Sequence, residues 1–93
     1  MFPRIQRRMR ENIRTRQYVI TLHAAEEMDE DGLTVYDVER VILTGAVQER
    51  QRDRVTAEWK YRVRGEAFDD SAVEVIAKLG LTGKLVIITV YTL

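Results

Sequence analysis

Residues 47 to 64 read VQERQRDRVTAEWKYRVR, and this stretch decides the fold, because from Ala46 onward the period of the sequence changes to two. Residues 47 to 52 read as a strand, Asp53-Arg54 as a turn, and residues 58 to 64 as the returning strand. A period of two puts Trp59, Tyr61 and Val63 on one face and Lys60, Arg62 and Arg64 on the other. Two more strands follow, residues 71 to 79 and 84 to 91, joined through Gly80-Leu81-Thr82-Gly83. Residues 85 to 90 are apolar on both faces, as an interior strand requires.

Upstream of Ala46 the period is helical. Ile5, Met9 and Ile13 stand four apart among arginines, which predicts a basic first helix over residues 4 to 16 with one narrow apolar stripe. Residues 18 to 22 are too short and apolar for a linker and lead into a second helix, 23 to 31, halted by Gly32. Thr34 begins a third helix: its hydroxyl can cap free amides, Asp37 three residues on gives a variant capping box, and Leu33 can pack against Val38. Val38, Val41 and Ile42 form the buried side, and Gly45 ends the helix. Helices followed by strands predict an α+β fold, two to three N-terminal helices on one face of a roughly four-stranded antiparallel sheet. With 93 residues and no repeat, linker or low-complexity segment, residues 1-93 read as one domain opened by the basic helix of residues 1-17.

The chain has no cysteine. That excludes a disulfide framework, a thiolate nucleophile and a thiolate metal site, and it suits a reducing compartment. The arginine-rich start lacks the apolar run of a signal peptide, and no stretch approaches the roughly 20 apolar residues of a membrane span. A cytoplasmic protein without a membrane partner is expected. Net charge is zero but segregated: residues 1 to 17 carry Arg4, Arg7, Arg8, Arg10, Arg14 and Arg16 against Glu11, residues 24 to 43 are acidic, and residues 48 to 64 are basic again. Such blocks can attract phosphate locally, or pair with each other across the surface.

Candidate chemistry is sparse. His23 is the only histidine, placed where the apolar segment becomes a helix. It is either a general acid or base or a residue that caps or packs the helix; a two-histidine ribonuclease mechanism is excluded. Lys60, Arg62 and Arg64 project together and could grip a phosphate and stabilise developing negative charge, with Thr89 and Tyr91 adding hydroxyls; otherwise they form a solvated strand face. Glu27, Asp29, Asp31 and Gly32 begin like a calcium loop, but the twelfth position is Val38 where a bidentate glutamate belongs, so calcium is rejected. The carboxylates of this helix are consecutive and fan outward, which does not suit magnesium. No metal and no cofactor are expected.

Thr21-Leu22-His23-Ala24, Met28, the Asp37-Val38 helix, Gly45, Lys60-Tyr61, Gly65 and Ile88-Thr89-Val90-Tyr91 together resemble a family of small bacterial and archaeal proteins labelled a domain of unknown function. That family is grouped with RelE-like and BrnT-like toxins and is often encoded beside a YgiT-type zinc-finger antitoxin. The resemblance, over residues 18 to 92, implies the RelE-like helices-then-sheet fold and a toxin-like component of a type II toxin-antitoxin pair that cleaves RNA without metal. Carried over residue by residue, the resemblance puts the family's histidine on His23, its basic and aromatic strand residues on Lys60 and Tyr61, and its terminal threonine and tyrosine on Thr89 and Tyr91; the leading expectation is a general acid or base at His23, a scissile phosphate held by Lys60 and Arg62, and assistance from Tyr91. Arg7, Arg14, Arg64 and Thr89 are the expected RNA contacts. One departure stands out: the family commonly has arginine before the methionine, and this chain has Glu27 before Met28, where an acid facing the site would repel phosphate. The alternative is a catalytically silent module that engages an antitoxin, a second copy of itself as a homodimer, or RNA.

Overall fold

The computed structural model describes residues 2–93. Eight elements follow in order: α1 (Pro3–Arg14), β1 (Tyr18–Ile20), α2 (Leu22–Asp31), α3 (Val35–Thr44), β2 (Ala46–Arg52), β3 (Trp59–Glu66), β4 (Ala72–Leu79) and β5 (Leu85–Thr92). Local chemistry sets the helix ends. Pro3 opens α1, where its missing N–H costs nothing. Thr21 caps α2 by accepting from the Ala24 amide, and Gly32 closes it in the left-handed conformation at φ 67°. Thr34 and Asp37 form the reciprocal capping box of α3. Asp37 also accepts from the Phe68 amide at 2.9 Å, which fastens α3 to the loop after β3. The hydrogen bonds from Phe68 and Thr34 hold the Asp37 carboxyl below its ordinary range.

The sheet corrects the sequence reading in two respects. It has five strands rather than four, in the order β1-β5-β4-β3-β2, and it is mixed: β1 runs parallel to β5, while the other three pairings are antiparallel. The extra strand is the apolar segment before α2, reduced to three residues and held by a partner that follows it by 67 positions (Tyr18 opposite Leu85). Two helices and three strands separate them along the chain, a connection long enough to let them lie parallel. The expected two-residue turn at Asp53-Arg54 is instead a loop over 53–58. There Asp53 accepts from the amides of Val55 and Thr56, and Ala57 takes a positive φ of 61°.

Met9 and Ile13 of α1, Ala24 and Met28 of α2, and Val38, Val41 and Ile42 of α3 meet Val63, Val73, Val75, Ala77, Leu85, Ile87 and Val90 in one core. α3 approaches β3 so closely at Gly45 that an added Cβ would sit 2.4 Å from the Arg64 carbonyl oxygen and 2.5 Å from that of Val41. Arg10 completes that corner, donating from Nη2 to the Gly45 carbonyl at 2.9 Å. Among the described residues, all three helices lie on this core face, and the opposite face of the sheet carries none.

Candidate functional site on the open sheet face

Two β-bulges decide what the helix-free face carries. On β2, Val47 opposes Val63 but Glu49 opposes Arg62, which leaves Gln48 as the extra residue. On β5, Ile87 opposes Ala77 but Thr89 opposes Ile76, which leaves Ile88 extra. Each bulge inverts the alternation beyond it. Strict alternation would have turned Glu49 with Val47, and Tyr91 with Ile87, toward the core. The bulges send both side chains to the open face instead, beside Arg62 and Glu74.

There they line a groove of about 380 Å³, together with Lys60, Gln51 and Ile76. Glu74 is its centre: only 5% exposed, it accepts from Arg62 Nη1 at 2.7 Å and from the Tyr91 hydroxyl at 2.5 Å. The Tyr91 hydrogen bond first, and Arg62 second, hold the Glu74 carboxyl below its ordinary range against the opposing effect of burial. The same bond pushes the Tyr91 phenol up. At neutral pH the cluster is therefore a carboxylate, a neutral phenol and a guanidinium. Tyr91 can donate a hydrogen bond, whereas both Glu74 oxygens are occupied and a depressed carboxylate is a weak base.

Acids accompany nearly every base on this face. Arg62 also reaches Glu49 at 3.3 Å, Lys60 Nζ lies 2.8 Å from Asp53, and Lys78 Nζ lies 3.0 Å from Glu58. The Lys60 hydrogen bond is the largest influence holding the Asp53 carboxyl far below its usual range. Among the described residues, Arg64 is the one base here with no carboxylate within 4.0 Å. Four acids balance four bases, so the face offers a phosphate little net attraction. Thr89 stands on β5 opposite Ile76, on the same face.

His23 is not brought to the groove. Its side chain is 66% exposed on the first turn of α2, with Nε2 3.3 Å from Glu27 Oε1. Glu27 in turn accepts from the Val90 amide at 3.1 Å, and Asp31 accepts from the Thr92 amide at 3.0 Å. Four residues along a helix and two along a strand both span about 6 Å, so α2 covers the edge of β5 beyond the end of β1 with two evenly matched carboxylates. Glu27 is thus an edge cap that also faces the histidine. Lys60 stands on β3, two strands inward from β5, or about 10 Å of sheet. The structure brings Lys60, Arg62 and Tyr91 to one groove and leaves His23 outside it.

Arg7 and Arg14 border a shallow cationic dip on α1 with Arg4 and Arg8. Arg14 makes a loose 3.8 Å contact with Glu11. Glu74 escaped the sequence reading, although it carried a signal: it is the only acid in the apolar strand AVEVIAKL, and a buried carboxylate requires a partner. Among the described residues no group of three or more His, Cys, Asp or Glu side chains could hold a metal ion, and no helix is long and apolar enough to cross a membrane.

A family model described as a domain of unknown function (DUF4258) matches residues 20–92, from the last residue of β1 through β5, and the chain belongs to that family. No curated protein and no solved structure matched it. α1 precedes the matched region.

Proposed function

We propose that this family member is a toxin-like RNA-binding protein whose arginine-bearing α1 surface, rather than its open sheet face, holds the RNA. One observation carries the reading. On the open face Lys60, Arg62 and Lys78 are each paired with a carboxylate, whereas Arg4, Arg7 and Arg8 have none within 4.0 Å among the described residues. A cation with no protein counterion is free to exchange mobile ions for phosphate, which is the main source of nucleic-acid affinity. Two other arginines of α1 are engaged, Arg10 by the end of α3 and Arg14, loosely at 3.8 Å, by Glu11. The toxin-like assignment, the cytoplasmic location and a zinc-finger antitoxin partner rest on the resemblance in the sequence.

The Arg62–Glu74–Tyr91 cluster favours a second reading, metal-independent RNA cleavage. In it Arg62 contacts the scissile phosphate with the N–H groups its carboxylates leave free, and Tyr91 donates to a developing charge. His23 would have to act from the β5 edge.

Labelled RNA followed by fluorescence anisotropy tests the first reading. Replacing Arg4, Arg7 and Arg8 together by glutamine should weaken binding at least tenfold, and Lys60→Gln should change it little. The reverse ranking overturns the assignment. Incubating RNA with wild type and Tyr91→Phe in the presence of a chelator tests the second: cleavage by wild type that Tyr91→Phe loses supports it, and no cleavage by wild type removes it.

A further inference from the structure

The β2–β3 hairpin has a second face. Pairing Arg50 with Tyr61 and Arg52 with Trp59 puts all four side chains on the helix side of the sheet, at the end of the hairpin. The Arg50 guanidinium lies 4.3 Å and the Arg52 guanidinium 5.4 Å from the centre of the Trp59 ring, and Trp59 nevertheless remains 38% exposed. Phe2 meets Tyr61 edge to face, with ring centres 6.3 Å apart. A groove of about 340 Å³ runs beside Trp59, bordered by Phe2, Arg4, Arg8, Tyr61 and Trp59's own partner Arg50, with no acid in its lining among the described residues. Arg4 and Arg8 also border the dip on α1, so groove and dip form one surface.

A solvated cationic face needs no aromatic rings, and a packing cluster needs no arginines that lack carboxylate partners, as these do among the described residues. The combination fits a ligand that has both flat faces and regularly spaced negative charge. We infer that this groove binds single-stranded nucleic acid, with bases stacked on Trp59 and Tyr61 and phosphates on Arg4, Arg8 and Arg50. The inference rests on the RNA-binding reading and specifies its substrate class. In a duplex the base faces are covered by their neighbours and only edges and backbone are offered. A stacking platform therefore discriminates between single strand and duplex, which arginines alone do not.

Trp59 is the only tryptophan and its ring is stacked with Arg50 of the groove wall, so its emission reports a base that stacks there. The probe is an oligonucleotide of about 10 nucleotides, presented as single-stranded RNA, as single-stranded DNA of the same sequence, and as RNA duplex. The single strands should quench Trp59 and bind more tightly than the duplex. Trp59→Leu, followed with an end-labelled oligonucleotide, should weaken single-strand binding roughly 5- to 100-fold and leave duplex binding unchanged. Equal single-stranded RNA and DNA affinities would assign the groove to single strands in general, and a preference for RNA would narrow it; both support the inference. Duplex binding as tight as single-strand binding, without quenching, overturns the inference while leaving arginine-based RNA binding in place. No binding of any probe overturns both. If Trp59→Leu does not fold, the wild-type ratio of single-strand to duplex affinity, read together with Trp59 quenching, provides the same discrimination.

Discussion

Consider replacing Arg7 and Arg14 together by glutamine. Arg4, Arg7, Arg8 and Arg14 on α1 and Arg50 and Arg52 on the hairpin give the proposed surface six arginines. If each neutralises one phosphate of a single strand, the logarithm of affinity should fall with the logarithm of salt at a slope of about −4, a loss of roughly 300-fold between 50 and 200 mM. The double variant removes two of the six, so its slope should be near −3 and its loss over the same range roughly 50-fold. Both side chains are exposed and Arg14 has only its 3.8 Å contact with Glu11, so stability should change by less than about 0.5 kcal/mol.

Arg10→Gln is the matched control on the same helix. It removes hydrogen bonds to the Ile42 and Gly45 carbonyls and should cost about 1–3 kcal/mol, or roughly 5–15 °C of melting temperature. Anisotropy titrations at several salt concentrations, with calorimetry alongside, measure both quantities. A salt slope near zero in wild type, or an equal loss of stability in the two variants, would refute the division of α1 into binding and structural arginines.

Three further outcomes are expected. Gly45→Ala should destabilise the fold by on the order of 3 kcal/mol in urea unfolding, because its Cβ meets backbone oxygens of both α3 and β3 that cannot turn aside. Glu27→Ala should speed hydrogen exchange at the Val90 amide selectively, since that N–H loses its carboxylate at the sheet edge; unchanged protection would show that the cap is dispensable. The pH profile of stability should fall at both ends. Asp37 and Glu74 have depressed folded-state pKa values, so their contribution is present above about pH 4.5 and is lost as pH falls through those lower values. Burial, and next its hydrogen bond to Glu39, push Tyr18 up to about 12, so its contribution is intact below pH 10 and is lost as pH rises toward 12. Asp37→Asn should flatten the acid limb and Tyr18→Phe the alkaline one.

The features legible in the sequence are those set by neighbours along the chain. Thr34 with Asp37 and Gly32 after α2 mark helix ends because caps bond within a few residues, and β3 shows its alternation directly. β1 was hidden, since three residues carry no period and their partner lies on β5. The bulges at Gln48 and Ile88 were hidden for a related reason: an extra residue is defined by the strand opposite, not by its own side chain. The sequence therefore displayed the basic row of Lys60, Arg62 and Arg64 but not the acids that meet it, which arrive from β2, β4 and the 53–58 loop.

The same alternation that suggested a catalytic face divides the hairpin into two electrostatically different surfaces. Even-numbered positions of β3 carry Lys60 and Arg62 to the open face, where Glu49, Asp53 and Glu74 meet them. The opposite side carries Trp59 and Tyr61 with Arg50 and Arg52, and none of its arginines has a carboxylate within 4.0 Å among the described residues. One hairpin thus presents a neutral, internally bonded surface and a cationic, aromatic one. Counting bases along the sequence points to the first, but the ion pairs that satisfy those bases leave the second as the surface with charge to spare for a polyanion. α1 extends that second surface through Arg4 and Arg8, and it does so from outside the region matched by the family.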